Sequence, residues 1–81
     1  MGNVEKRIVE KLGKVVGMES SKEIVDEYRR LNDRIRKEKK SKVMYYQRRV
    51  GMRMVLGRLG VSEGDLRELY VEWYGERGEK K

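Results

Sequence analysis

The chain contains no cysteine, histidine, threonine, alanine, proline or phenylalanine, and a single glutamine, Gln47. Without Cys or His there is neither a disulfide nor a zinc site to hold a small fold together. The same absences remove the commonest general bases and the thiol nucleophile, and with them most hydrolytic and redox chemistry. Asp65, Glu68 and Glu72 share one helical face, a spacing compatible with Mg²⁺. Carboxylates so arranged are far more often a solvated stripe. No catalytic residue, metal, cofactor or small-molecule substrate is therefore expected. The longest apolar runs are three or four residues, too short for a membrane span or a signal-peptide core. The expected location is the cytoplasm, on the nucleoid if the chain binds DNA.

Eighty-one residues make one domain, and a chain of this size buries only about 60–65 % of its unfolded surface. Stability must then come from helix packing, ion pairs or a second subunit, and a homodimer is the commonest such solution. Charged residues make up 43 % of the chain. Abundant Lys, Glu and Arg with few thermolabile side chains suit a hyperthermophile's protein, here expected to be archaeal.

The net charge of +7 is unevenly placed. Residues 41–60 carry five basic side chains and no acid, whereas residues 61–81 carry four against six. From Arg34 to Arg58 there are ten basic residues, with only Glu38 opposing them. That is a block of one sign rather than a diffuse excess.

Apolar periodicity predicts an all-α fold of three or four helices, separated by caps rather than by Pro-rich linkers. A first helix over residues 1–19 takes Asn3 as N-cap, carries Val4, Ile8, Leu12, Val15 and Val16 inward, and stops at Gly17. A long or broken basic region follows over 20–60. Its start is marked by a Ser20–Glu23 capping box, and its apolar face is Ile24, Val25, Tyr28, Leu31 and Ile35. Asp26–Arg30 and Asp33–Lys37 are acid-first i,i+4 pairs. The stretch RKEKKSK (36–42) contains no apolar residue, but nothing in it breaks a helix, so continuous or nearly continuous helix is expected.

Beyond it the pattern is apolar on two flanks. Val43, Val50 and Met54 form one sector, Met44, Met52, Val55 and Leu59 the other, and Lys42, Arg49 and Arg53 run between them. One flank would pack on its own chain and the other, Val43, Val50 and Met54, on a partner. The basic strip would stay exposed. The last helix, within 61–78, has a Ser62–Asp65 capping box and a Val61–Leu66 hydrophobic staple. Leu66, Leu69, Tyr70, Trp73 and Tyr74 face inward, Gly75 or Gly78 ends the helix, and 79–81 are a frayed tail.

The spacing of Val55, Leu59, Gly60, Val61, Leu66 and Leu69 resembles a helix-turn-helix motif, though Leu56 stands where a small residue normally lets the helices approach. An ordinary helix pair with a glycine cap has the same pattern. The second helix of the pair carries Glu63, Asp65, Glu68 and Glu72, which would repel phosphates. It is therefore expected to support the preceding basic helix rather than to read DNA, with Glu68 and Glu72 as replaceable surface acids.

The expected function is a basic helical DNA-binding protein, either a transcriptional regulator or an architectural one, gripping duplex phosphates. Its contacts would be Arg34, Arg36, Lys37, Lys39, Lys40, Lys42, Arg48, Arg49, Arg53 and Arg58, with Tyr45 and Tyr46 bonding phosphates or stacking on unpaired bases. The alternatives are an adaptor docking an acidic protein surface, and an RNA or single-strand binder.

Overall fold

The computed structural model describes residues 2–38 and 42–75. Within them the chain is four helices, α1 (Asn3–Val16), α2 (Met18–Lys37), α3 (Lys42–Arg58) and α4 (Glu63–Tyr74), with no strand. The tail expected at 79–81 lies outside the described residues.

Helices α1 and α2 are joined by one residue. Gly17, at φ 91° and ψ 152°, is the C-cap of the first and the N-cap of the second. That conformation is open to glycine and strained for any other residue. The Gly17 carbonyl already accepts the Ser21 N–H at 3.0 Å. Helix α2 therefore starts at Met18 rather than behind a Ser20 cap, and Ser20 and Glu23 form no capping box. Gly2, not Asn3, likewise occupies the N-cap position of α1.

Helix α2 ends at Lys37, where Glu38 turns extended at φ −73° and ψ 141°. The helix expected to run on through 36–42 thus stops at Lys37, and residues 39–41 of that stretch lie outside the described residues. Ile35 is the last buried residue of α2, so the turn that follows it adds no burial to hold the helix. Arg34, Arg36 and Lys37 fill the last turn, where cations suit the exposed carbonyls and the negative end of the dipole.

Between α3 and α4 the chain turns through a Schellman motif. The Val61 N–H reaches back to the Leu56 carbonyl at 2.9 Å and the Gly60 N–H to that of Gly57 at 3.1 Å, with Gly60 at φ 103°. Val61 and Leu56 are both buried, the apolar contact that usually accompanies this turn. The Ser62–Asp65 capping box then opens α4 with both of its hydrogen bonds made, and Gly75 closes it in the left-handed region.

The core gathers Ile8, Val9 and Leu12 of α1, Val25 and Tyr28 of α2, Leu56 of α3, and Val61, Leu66 and Leu69 around α4. Burying each such aliphatic side chain contributes about 1.5–3 kcal/mol. Val15, expected in the α1 stripe, is instead 59 % exposed. Helix α1 packs on both α2 and α4, and α2 also carries α3. Contact between α3 and α4 is the least extensive of these. The last helix therefore chiefly supports α1, not the basic helix before it. The pairing also departs from the helix-turn-helix spacing at Val55, which is 54 % exposed, while Leu56 is buried.

Candidate nucleic-acid interface

Why α4 is acidic becomes clear from its neighbours. The Glu72 carboxylate accepts the backbone N–H groups of Val4 at 2.8 Å and Glu5 at 3.0 Å, occupying the open first turn of α1. Asp65 accepts from Lys11 Nζ at 3.0 Å and from Arg7 at 3.2 Å, and Glu68 from Arg7 at 2.7 Å. The Lys11 bond, with help from the Ser62 N–H and Arg7, holds the Asp65 carboxyl below its usual pKa. Glu5 in turn accepts the Trp73 indole N–H at 2.8 Å. The acids of the last helix thus neutralise and cap α1. Glu72 is not the replaceable surface acid that the sequence suggests.

The opposite side, made by α2 and α3, has a different balance. Arg30, Arg34 and Lys37 lie at i, i+4 and i+7 of α2 and are exposed. Arg48 of α3 is exposed as well, and with Arg30 and Arg34 it rims an open groove of about 620 Å³. Leu31, Met44 and Met52 line the groove alongside Tyr45, and Glu27 is the one acid among its described lining residues. Arg34 donates to the Tyr45 hydroxyl at 3.0 Å and lies 5.8 Å from the centre of that ring. Arg58 is exposed in the last turn of α3. Arg30, which pairs with Asp26 at 3.3 Å, is missing from the sequence-derived set although its i,i+4 spacing from Arg34 signals a shared face.

The remaining predicted contacts are distributed otherwise. Arg36 turns towards α4, donating to the Tyr70 hydroxyl at 3.0 Å and lying 4.5 Å from the centre of the Tyr74 ring. Asp33 does not take Lys37 as its partner; it accepts the Tyr74 hydroxyl instead. Burial first, and then that bond, raise the Tyr74 pKa well above its usual value. Lys39 and Lys40 lie outside the described residues, as does the side chain of Lys42.

Arg49 and Arg53, expected on an exposed strip, are half-buried against α2. Arg49 donates to the Oδ1 of the fully buried Asn32 at 2.7 Å and lies 5.2 Å from the centre of the Tyr46 ring. Asn32 is fixed from its other end by donating to the Tyr28 carbonyl at 2.8 Å. The long aliphatic stems of arginine let both residues pack inward while their heads stay polar.

With that strip turned inward, an apolar row faces outward. Val43, Val50 and Met54 are 67 %, 57 % and 59 % exposed, beside Met44 and Val55. Gly51 and Gly57 share this outer side with open space where a Cβ would stand. The second predicted sector is split, since Met52 and Leu59 pack on the core.

Comparison with known protein families, curated proteins and solved structures returns no match, so the reading rests on this geometry alone. No described helix is long and apolar enough to cross a membrane.

Proposed function

We propose that the protein binds nucleic acid, duplex DNA foremost, through its phosphates, as a regulator or architectural protein and not as an enzyme. Segregation of charge is the observation that carries this reading. Asp65, Glu68 and Glu72 are engaged with α1, while Arg34, Lys37, Arg48 and Arg58 stand open to solvent on α2 and α3. A predominantly cationic face, in which Asp26 and Glu27 are outnumbered, attracts a polyanion and gains from the counterions that the polyanion releases. The expected contacts are Arg30, Arg34, Lys37, Arg48 and Arg58, joined by Lys39, Lys40 and Lys42 of the adjoining basic run. Two copies pair through Val43, Val50 and Met54, and so present two such faces to one duplex.

A second reading is favoured by that same apolar row. Exposed Val and Met beside cations also suit an acidic amphipathic helix of another protein. Fluorescence anisotropy with labelled duplex DNA, single-stranded DNA and RNA at low salt separates the two readings. Saturable duplex binding that weakens in Arg34→Glu/Arg48→Glu supports the first. Absence of binding to all three supports the adaptor.

A further inference from the structure

The open groove between α2 and α3 has a floor that phosphate binding leaves unused. It follows two turns of each helix, from Glu27 to Arg34 on α2 and from Met44 to Met52 on α3. That is about 10–12 Å of helix axis. Leu31, Met44 and Met52 make the floor apolar, and Met44 is 63 % exposed at its lip. Cations stand on both banks, Arg30 and Arg34 on α2 and Arg48 on α3, against Glu27 alone among the described lining residues. No described carboxylate pairs with Arg34 or Arg48. A phosphate backbone would meet these arginines and gain nothing from two thioethers and a leucine.

An apolar groove with cations on both banks complements a helix whose apolar stripe is flanked by acids. Apolar residues at i, i+4 and i+7 of such a helix span about 10 Å, which matches the groove. Flexible methionines adapt to the ridges of an incoming helix. An unpaired base fits less well. Base stacking needs an open aromatic face, and Tyr45 is the one aromatic among the described lining residues. Its hydroxyl already accepts from Arg34, whose guanidinium lies 5.8 Å from the ring centre.

We infer that the groove docks an acidic amphipathic helix of another protein, and that this helix excludes nucleic acid from the α2–α3 face. The exclusion rests on the proposed nucleic-acid function, because Arg30, Arg34 and Arg48 are among its expected phosphate contacts. A carboxylate held by one of these arginines keeps it from a phosphate, and the remaining acids of the helix repel the polyanion. Helix and duplex thus bind the same chain in turn, and the partner releases the protein from DNA.

The probe is a synthetic helical peptide of leucine, glutamate and alanine, with leucines at i, i+4 and i+7. A control peptide of the same composition spreads its leucines around the helix. Each is titrated into the full chain by calorimetry, and then into its complex with a fluorescent DNA duplex followed by anisotropy. The first peptide should bind saturably. At ten times its own Kd it should weaken duplex affinity about tenfold, as mass action at one shared site requires. Met44→Gln should weaken that peptide about five- to twentyfold, the loss of one apolar side chain from a buried contact, and leave duplex affinity unchanged. Arg48→Gln should weaken both ligands. Equal binding of the two peptides, or a peptide affinity that Met44→Gln leaves unchanged, overturns the docking site. Peptide and duplex bound together overturn the exclusion. Peptide binding without duplex binding supports the groove and overturns the nucleic-acid function, whereas duplex binding without peptide binding does the reverse. Should Met44→Gln weaken single-stranded DNA and not the peptide, the groove belongs to unpaired bases and the helix is overturned.

Discussion

Glu72 and Val4 are 68 residues apart in sequence, yet the Glu72 carboxylate accepts the Val4 N–H at 2.8 Å. The bond closes the four-helix arrangement by tying the end of α4 to the start of α1. It also satisfies donors that a helix N-terminus otherwise leaves to water, with a negative charge where the dipole favours one.

Replacing Glu72 with Ala should therefore destabilise the fold by about 1–2 kcal/mol, as loss of a helix cap does. The Glu68 side chain is 60 % exposed, and Glu68→Gln should change stability by less than about 0.5 kcal/mol. Urea unfolding of both variants makes the comparison. A Cβ at Gly2 would lie 2.2 Å from the Glu72 carboxyl carbon. Gly2→Ala should hence displace the same group, and its cost should not add fully to that of Glu72→Ala. Equal losses in Glu72→Ala and Glu68→Gln would contradict this assignment.

Gly17→Ala should lower the thermal midpoint, because Gly17 alone makes the α1–α2 turn, at φ 91°. Strain of this kind costs about 1–3 kcal/mol. Circular dichroism at the melting transition checks it, and an unchanged midpoint would mean that the turn has another way to form.

Alkali should destabilise the protein, and the Tyr74–Asp33 pair sets the direction. Burial and the bond to Asp33 raise the folded pKa of Tyr74 above its ordinary value of 10.0. The unfolded chain then loses this proton first. Stability from the pair is complete below pH 10 and declines as pH rises towards the folded pKa. Tyr74→Phe should flatten that decline. Asp65 acts at the other extreme: its pKa is lowered from 3.8, so its contribution is present above that value and is lost as pH falls further. Asp65→Asn should flatten the acid limb of the same stability curve.

Self-association should depend on the exposed row of α3. Val50 and Met54 are 57 % and 59 % exposed within one chain, so Val50→Asp/Met54→Asp should leave helix content unchanged and yield a monomer. Sedimentation at tens of micromolar compares it with the parent chain. A monomeric parent would remove the homodimer from the account.

Much of the fold was legible because its signals are local. The Ser62–Asp65 box, the Val61–Leu66 staple, the Asp26–Arg30 pair and the helix-ending glycines Gly17 and Gly75 lie within a few residues of what they control. The signals that misled were local too. Ser20 and Glu23 have capping-box spacing, but Gly17 had already started α2 one turn earlier. The orientation of α3 was hidden for a different reason. Apolar residues stand on both its flanks, so periodicity alone does not choose an inward face. Leu56, Met52 and the stems of Arg49 and Arg53 make that choice through packing on α2 and the core. Glu72 reads as a surface acid because its partner is at the other end of the chain. The basic block was visible as composition, but its division into open cations and an inward pair depends on tertiary structure.

The salt dependence of duplex affinity is the most direct test of phosphate binding by the α2–α3 face. If about five to eight phosphates are neutralised per chain, log K should fall against log[salt] with a slope of about −5 to −7. Arg34→Glu/Arg48→Glu should make that slope shallower, while Glu68→Gln should leave it unchanged. A slope near zero, or no duplex binding at low salt, would contradict the central claim that the α2–α3 face grips a phosphate backbone.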